Sequence, residues 1–278
     1  MVKIVTDTLS DIPAELAQEL GISVVPLNVH FGIETYRDTV DISTDEFYHR
    51  LQTDDVFPTT SAPPPGVFVE LFTELAKETD EILAIMTSSK ISAICESAIQ
   101  GKAMVELDCK IEVIDSLLTL AGQMLVVILA SKAARDGANL EQISEMVRKA
   151  IPRTHVRGAL ATLEYLRKGG RIGKAQAFLG SVLKITPILG FIEGEAHPCA
   201  RVRSRAQAMD YLVDFVKGLP KIEMLSIDEA TTPDEAEDLA QRLSVVFPKE
   251  RMYRTKVSPV LGTHLGPGAL LVSVLEGE

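Results

Sequence analysis

A chain of 278 residues, 46% hydrophobic and 24% charged, has material for one large core or two medium ones. Its formal charge of -11 argues against a nucleic-acid backbone or an anionic membrane as the main partner, because both demand a cationic face. Cys95, Cys109 and Cys199 are odd in number and far apart, with no CxxC or Cys/His ligand spacing, which argues against a disulfide framework or a zinc site and fits a reducing cytosol. MVKIVTDT lacks the pattern of a secretory signal, and no run approaches the roughly eighteen uninterrupted apolar residues of a membrane helix. A soluble, cytoplasmic protein with no integral membrane segment is expected.

VKIVTD reads as a strand, Pro13 to Leu20 as a helix, ISVVPLNVHF as a strand and Thr44 to Leu51 as a helix, an alternation that predicts α/β layers. Beyond PTTSAPPPG, a helix carries Phe68, Leu71, Phe72 and Leu75 on one face, EILAIMTS reads as a buried strand, and a further helix is expected near Ser89. KIEVIDS is the next strand. Leu117 to Lys132 is the most apolar segment, and its length and small residues suit a buried helix. GANLEQISEMVRKAIP gives another helix, which Pro152 ends at the expected domain boundary: an N-terminal α/β domain over 1–152 with a layered parallel sheet, and a C-terminal α/β domain over 153–278. The second half carries VRGALATL, a glycine loop, a helix through AQAFLGSVL, strand-like TPILGFIEGEAHPCARVRS turning at Glu193-Gly194, then helix, EMLSIDEA, helix and two closing strands. A smaller sheet with helices on one side is expected there. No internal repeat or low-complexity segment is present.

The glycine loop, LEYLRKGGRIGKAQAFLG, invites comparison with the GxxxxGK[ST] phosphate cradle, but Lys168 replaces the first glycine and Ala175 the hydroxyl. Those changes remove the left-handed turn and the magnesium ligand, so its glycines need another explanation. Two hydroxyl clusters, Thr59, Thr60 and Ser61, then Thr87, Ser88, Ser89 and Ser92, fall at expected strand-to-helix junctions, where they suit N-capping or the binding of an anion such as a carboxylate. Arg171 follows two glycines that allow close approach, and its guanidinium can fork onto a carboxylate. His264 lies in GTHLGPG, read as a loop between apolar strands, where imidazole can donate a hydrogen bond. His30, His49, His155 and His197 have no acid or nucleophile at recognisable spacing and read as structural. Asp7 and Asp38 read as turn caps rather than metal ligands, because too few ligands surround them to specify a cation. No GxSxG, HExxH, paired catalytic carboxylates or GxGxxG is present, so a standalone hydrolase or dehydrogenase has no visible machinery. The basic runs RKGGRIGK and RVRSR, with Arg201, Arg203 and Arg205, suit solvated loops or a docking face for an acidic or phosphate-bearing partner.

In order, VTDTLSDIP, GISVVPLNVHFGIETYRD, TTSAPPP, SSKISAICESA, LEYLRKGGRIG, ARVRSRAQA and THLGPGAL resemble the ordered motifs of the DegV family of bacterial fatty-acid-binding proteins, over nearly the whole chain. The resemblance implies two α/β domains with a long-chain fatty acid in a tunnel at their junction. It also implies that the acid's carboxylate is presented to a separate ATP-dependent fatty acid kinase subunit that makes the acyl phosphate. The protein itself is then not an enzyme, needs no cofactor or metal and has no nucleotide site, and the glycines of KGGRIG shape the ligand head region. By motif, Thr60, Ser61 and Ser92 are implied to hydrogen-bond the carboxylate, with His264 and Arg171 nearby and Arg203 in the head-group or kinase-docking region.

The chain departs from the family where Ala93 and Ile94 replace a glycine and a threonine beside Ser92, so head-group geometry or chain preference is expected to differ; Glu96 adds a negative charge near a helix start, favourable to the dipole and unfavourable to an incoming anion if it faces the site. A Ser/His acyl-transfer or thioesterase site would instead predict acylation of Ser92 or Ser61. A regulatory interaction module with an empty core would predict no extractable lipid. The absence of Trp and the surplus of Ile, Leu, Val and Met suit a flexible chain better than a stacked base.

Overall fold

The structure, a computed structural model, describes residues 1–179 and 185–278. The chain opens with β1 (Lys3–Asp7), α1 (Ala14–Leu20), β2 (Ile22–Val25), β3 (Asn28–Phe31), β4 (Glu34–Arg37) and α2 (Thr44–Thr53). Next come β5 (Thr59–Ser61), α3 (Pro65–Leu75), β6 (Glu81–Met86), α4 (Ile94–Ala103), β7 (Lys110–Asp115), α5 (Leu120–Arg135) and α6 (Leu140–Ala150). The remainder is β8 (Thr154–Ala159), α7 (Glu164–Lys168), β9 (Thr186–Ile192), β10 (Glu195–Val202), α8 (Arg205–Lys217), β11 (Ile222–Glu229), α9 (Pro233–Leu243), β12 (Tyr253–Lys256), α10 (Pro259–Leu265) and β13 (Leu270–Glu276).

Three sheets result. β2-β1-β6-β7 is wholly parallel, which is why ILAIM of β6, after Glu81, is a continuous apolar run covered on both faces. β4-β3-β5 is a small antiparallel sheet, and β10-β9-β8-β13-β11-β12 is mixed, with β11 and β12 parallel. The sheet of the second half, expected to be the smaller, is thus the largest, because β8 and β13 fill its centre. ISVVPLNVHF is two strands in different sheets, since Pro26 has no N–H to continue a ladder.

α5 joins the layers. An ordinary surface helix shows one apolar stripe, but this one is buried nearly all round, touching β1 and β6 on one side and β8, β11 and β13 on the other. Gln123, fully buried on it, donates to Thr6 Oγ1, Asp7 Oδ2 and the Ile85 carbonyl, tying the helix to the parallel sheet. α6 is fixed by a capping box in which Asn139 and Gln142 satisfy each other's backbone N–H. Among the described residues no helix is long and apolar enough to cross a membrane. Cys95, Cys109 and Cys199 are unpaired.

Candidate functional site

A cavity of about 300 Å³ lies where the six-stranded sheet meets the first half of the chain. Its walls are largely apolar, with Leu9, Leu27, Leu120, Leu189, Leu261 and Leu271 among them. Thr60, Ser61, Ser92, Arg171 and His264 also line it, so the fold gathers five of the six sequence-predicted residues from four separate segments. Arg203 is exposed outside the cavity, in a shallow groove with Arg201, Gln207 and Asp210.

The hydroxyl clusters are not helix caps. Thr59, Thr60 and Ser61 form β5, and α3 starts only at Pro65. Alternation along β5 separates its side chains. The Thr60 hydroxyl lies 3.1 Å from His264 Nε2, whereas the Ser61 hydroxyl lies 2.9 Å from His30 Nε2. α4 starts at Ile94 rather than near Ser89, and its N-cap residue, Ala93, makes no side-chain cap. Thr87 donates instead to the Leu118 carbonyl and Ser88 to the Gly194 carbonyl, while Ser92 Oγ accepts from the Ile94 N–H. Of the departures beside Ser92, Ala93 lines the cavity; Ile94 is fully buried in the core, and Glu96 is exposed and accepts from Gln100, so neither faces the cavity.

His264 lies in the last turn of α10, not in a loop. Burial, and secondarily the charge of Arg171, lowers its pKa to about 4, so the ring is neutral at physiological pH. Its Nδ1 is buried without a hydrogen-bond partner among the described residues and faces Gly169, where a Cβ would sit 2.1 Å away. A hydrogen on Nδ1 would point into that tight contact, so the geometry favours the Nε2–H tautomer. Nε2 then donates to Thr60, whose own hydroxyl hydrogen is left free for a ligand. This contact accounts for Gly169 in KGGRIG; at Gly173 a positive φ of 50° and an approach to the Ala196 carbonyl, 2.9 Å from a Cβ, exclude a side chain. Arg171 donates from Nε to the Ile91 carbonyl and from Nη1 to the Gly169 carbonyl, which fixes the guanidinium beside the start of α4. Its Nη2 has no hydrogen bond to a described residue.

α10 is positioned from the other half of the chain. Asp11 Oδ1 accepts from the Ser258 N–H at 3.0 Å, Asp38 Oδ1 from the Val260 N–H at 3.4 Å, and Tyr48 donates to the Val257 carbonyl. Gly262 lets the helix approach α2 so closely that a Cβ would meet Phe47 at 2.6 Å. Asp38 was expected to cap a turn, and instead it supports a helix more than two hundred residues away; Asp11, though part of the VTDTLSDIP motif, was assigned no role by the sequence. Burial raises the pKa of Asp38 to about 7 and that of Asp7 to about 6, and pushes Asp11 well above the ordinary carboxyl range. Asp7 also caps the 3-10 turn after β1 through the Leu9 N–H and accepts from the Thr87 N–H. No cluster of three or more His, Cys, Asp or Glu side chains among the described residues is placed to hold a metal ion.

Residues 1–277 match the family described as "Uncharacterised protein, DegV family". A DegV domain-containing protein of Caldanaerobacter subterraneus is 34% identical over 274 residues, covering 96% of each chain. Among similar solved structures, a fatty-acid-binding DegV family protein from Thermus thermophilus aligns with a TM-score of 0.93 at 30% identity, with 99% of each chain covered. DegV of Bacillus subtilis, a fatty acid binding protein, aligns with a TM-score of 0.90 at 31% identity, again over 99% of each chain. Full-length agreement in both sequence and fold means that the chain belongs to the DegV family.

Proposed function

We propose that this protein binds a long-chain fatty acid in the cavity between its halves and presents the carboxylate to a separate ATP-dependent kinase, which forms the acyl phosphate. The observation that carries the reading is one apolar cavity whose polar groups cluster as Thr60, Ser92, Arg171 and a neutral His264. The division into domains over 1–152 and 153–278 belongs to the same reading, with the ligand between them. Burying an acyl chain gains about 0.8 kcal/mol per methylene, roughly 11 kcal/mol for a sixteen-carbon tail before ordering costs, so the polar groups need only orient it. The related proteins of Thermus thermophilus and Bacillus subtilis are fatty-acid binders, which supports the assignment of the ligand.

A Ser/His hydrolase reading is disfavoured by geometry. His264 Nε2 is engaged by Thr60, no carboxylate orients Nδ1 among the described residues, and Ser92 Oγ accepts from the backbone of Ile94. Denaturing mass spectrometry of an organic extract of the purified protein tests the proposal. A stoichiometric fatty acid is expected; an empty extract that stays empty after incubation with saturated and unsaturated acids would overturn it.

The kinase is assigned to the face that carries Arg203, where Arg201 and Arg203 share a groove with Asp210 and Asp214. Arg201 and Arg203 are exposed, and Arg201 donates to the Ala177 carbonyl, beside the segment that carries Arg171. Arg203→Glu is expected to slow acyl-phosphate formation by the kinase about tenfold while leaving fatty-acid affinity within about twofold. Equal losses in both assays would move Arg203 from the docking face to the ligand.

A further inference from the structure

The cavity wall contributed by the six-stranded sheet has one missing side chain. Leu189 of β9, Gly158 of β8 and Leu271 of β13 lie opposite one another in the antiparallel register, and all three line the cavity. Along β8 the alternate residues Val156 and Gly158, then Leu160 just beyond the strand, also line it. Gly158 is therefore a gap in both the row and the column. Glycine weakens the middle of a strand and is found where another group must come close. Here the backbone does not require it, because Gly158 does not adopt the positive φ that favours glycine. Space does: a Cβ at this position would lie 2.6 Å from Leu271 Cδ2 and 2.7 Å from Leu271 Cγ.

The chain locates this gap relative to the polar end. β8 runs through Leu160 into α7 and on to Gly169 and Arg171, so Gly158 lies back along the strand from the polar groups and Val156 lies further back. Val156 is wedged against α5, where a Cβ on Gly122 would come within 2.5 Å of Val156 Cγ2. That contact leaves Val156 no room to retreat towards the helix.

We infer that Gly158 is a specificity-determining position: the space above it admits the far part of an acyl chain, and Val156 behind it limits how long that chain can be. The inference rests on the reading above that the cavity takes a fatty acid. A side chain at 158 would displace Leu271 into the cavity or occupy the cavity itself, and either result shortens the usable length. Removing the branched side chain at 156 would lengthen it.

The test is a titration of the delipidated full-length protein with a ladder of saturated straight-chain acids. In wild type, one chain length should bind best. Gly158→Ala should move that optimum to a shorter acid and weaken the former best ligand about tenfold, equivalent to lost contact with about two methylenes. Val156→Ala should move it to a longer acid, and Gly158→Ala combined with Leu271→Ala should return it towards the wild-type length. An unchanged optimum in Gly158→Ala, in a protein that otherwise binds acids, overturns the inference. If Gly158→Ala fails to fold, the Val156→Ala and double-variant optima decide, and unchanged optima there overturn it equally. Wild type that binds no acid of any length would instead remove the proposed function.

Discussion

Gly169→Ala is expected to weaken fatty-acid binding by at least about tenfold, or 1.4 kcal/mol, and to lower the melting temperature by a few degrees. The added Cβ would stand 2.1 Å from His264 Nδ1 and 2.8 Å from Cε1, so the imidazole must leave its position. It cannot do so freely, because α10 is held by Ser258 and Val260 at one end and packed against α2 through Gly262. The displacement breaks the hydrogen bond to Thr60, and forced overpacking of this kind costs about 1–3 kcal/mol. Calorimetric titration with a fatty acid, paired with thermal unfolding, measures both effects. Gly169→Ala combined with His264→Ala should recover most of the lost stability but not the affinity. Wild-type affinity in the single variant would show that His264 does not organise the polar end.

Asp38→Asn should become steadily more stable relative to wild type as the pH rises from 4 to 8, by roughly 4 kcal/mol in total at about 1.4 kcal/mol per unit of pKa shift. Burial raises the folded-state pKa of Asp38 from 3.8 to about 7, with smaller opposing contributions from the neighbouring Thr8 and Ser258 side chains and the Val260 N–H and with Asp7 adding to the rise. Between those values the folded protein keeps a proton that the unfolded chain releases, so stability falls as the pH rises through that window. An amide removes the titration while its oxygen can still accept from the Val260 N–H. His264 works in the opposite direction between about pH 4 and 6.5, because its folded pKa is lowered; taking the difference between variant and wild type cancels it. Urea unfolding at a series of pH values gives the difference curve. A flat curve would mean that Asp38 stays ionised in the folded protein and that its unpartnered Oδ2 is solvated.

What the sequence disclosed was local. α6 was legible because Asn139, Gln142 and an apolar period of about 3.6 all agree, and β6 because its apolar run is short and bounded by turn residues. The helix bearing His264 was not, since GTHLGPG has the composition of a loop and its helical form depends on Asp11, Asp38 and Tyr48 from the far end of the chain. The site was legible through ordered motifs, yet the physical role of KGGRIG was hidden, because nothing in the sequence puts Gly169 against His264. The hydroxyl clusters misled for a related reason: β5 pairs with β3, a tertiary contact that converts an expected helix start into a strand. Residues 180–184, where the AQAFLGSVL helix was expected to continue, lie outside the described residues; the described part is a 3-10 turn over Gly173–Phe178.

β13 lies between β8 and β11, and both precede it in the chain. The six-stranded sheet therefore cannot close during synthesis until residue 276 has left the ribosome, and until then β8 and β11 each present an unpaired edge. α5 meets that sheet through β8, β11 and β13, so its second face waits as well. Biogenesis is consequently the exposed phase in the life of this protein: a ribosome stalled before β13 displays two open strands and an uncovered apolar helix, the kind of surface that chaperones hold and proteases cut.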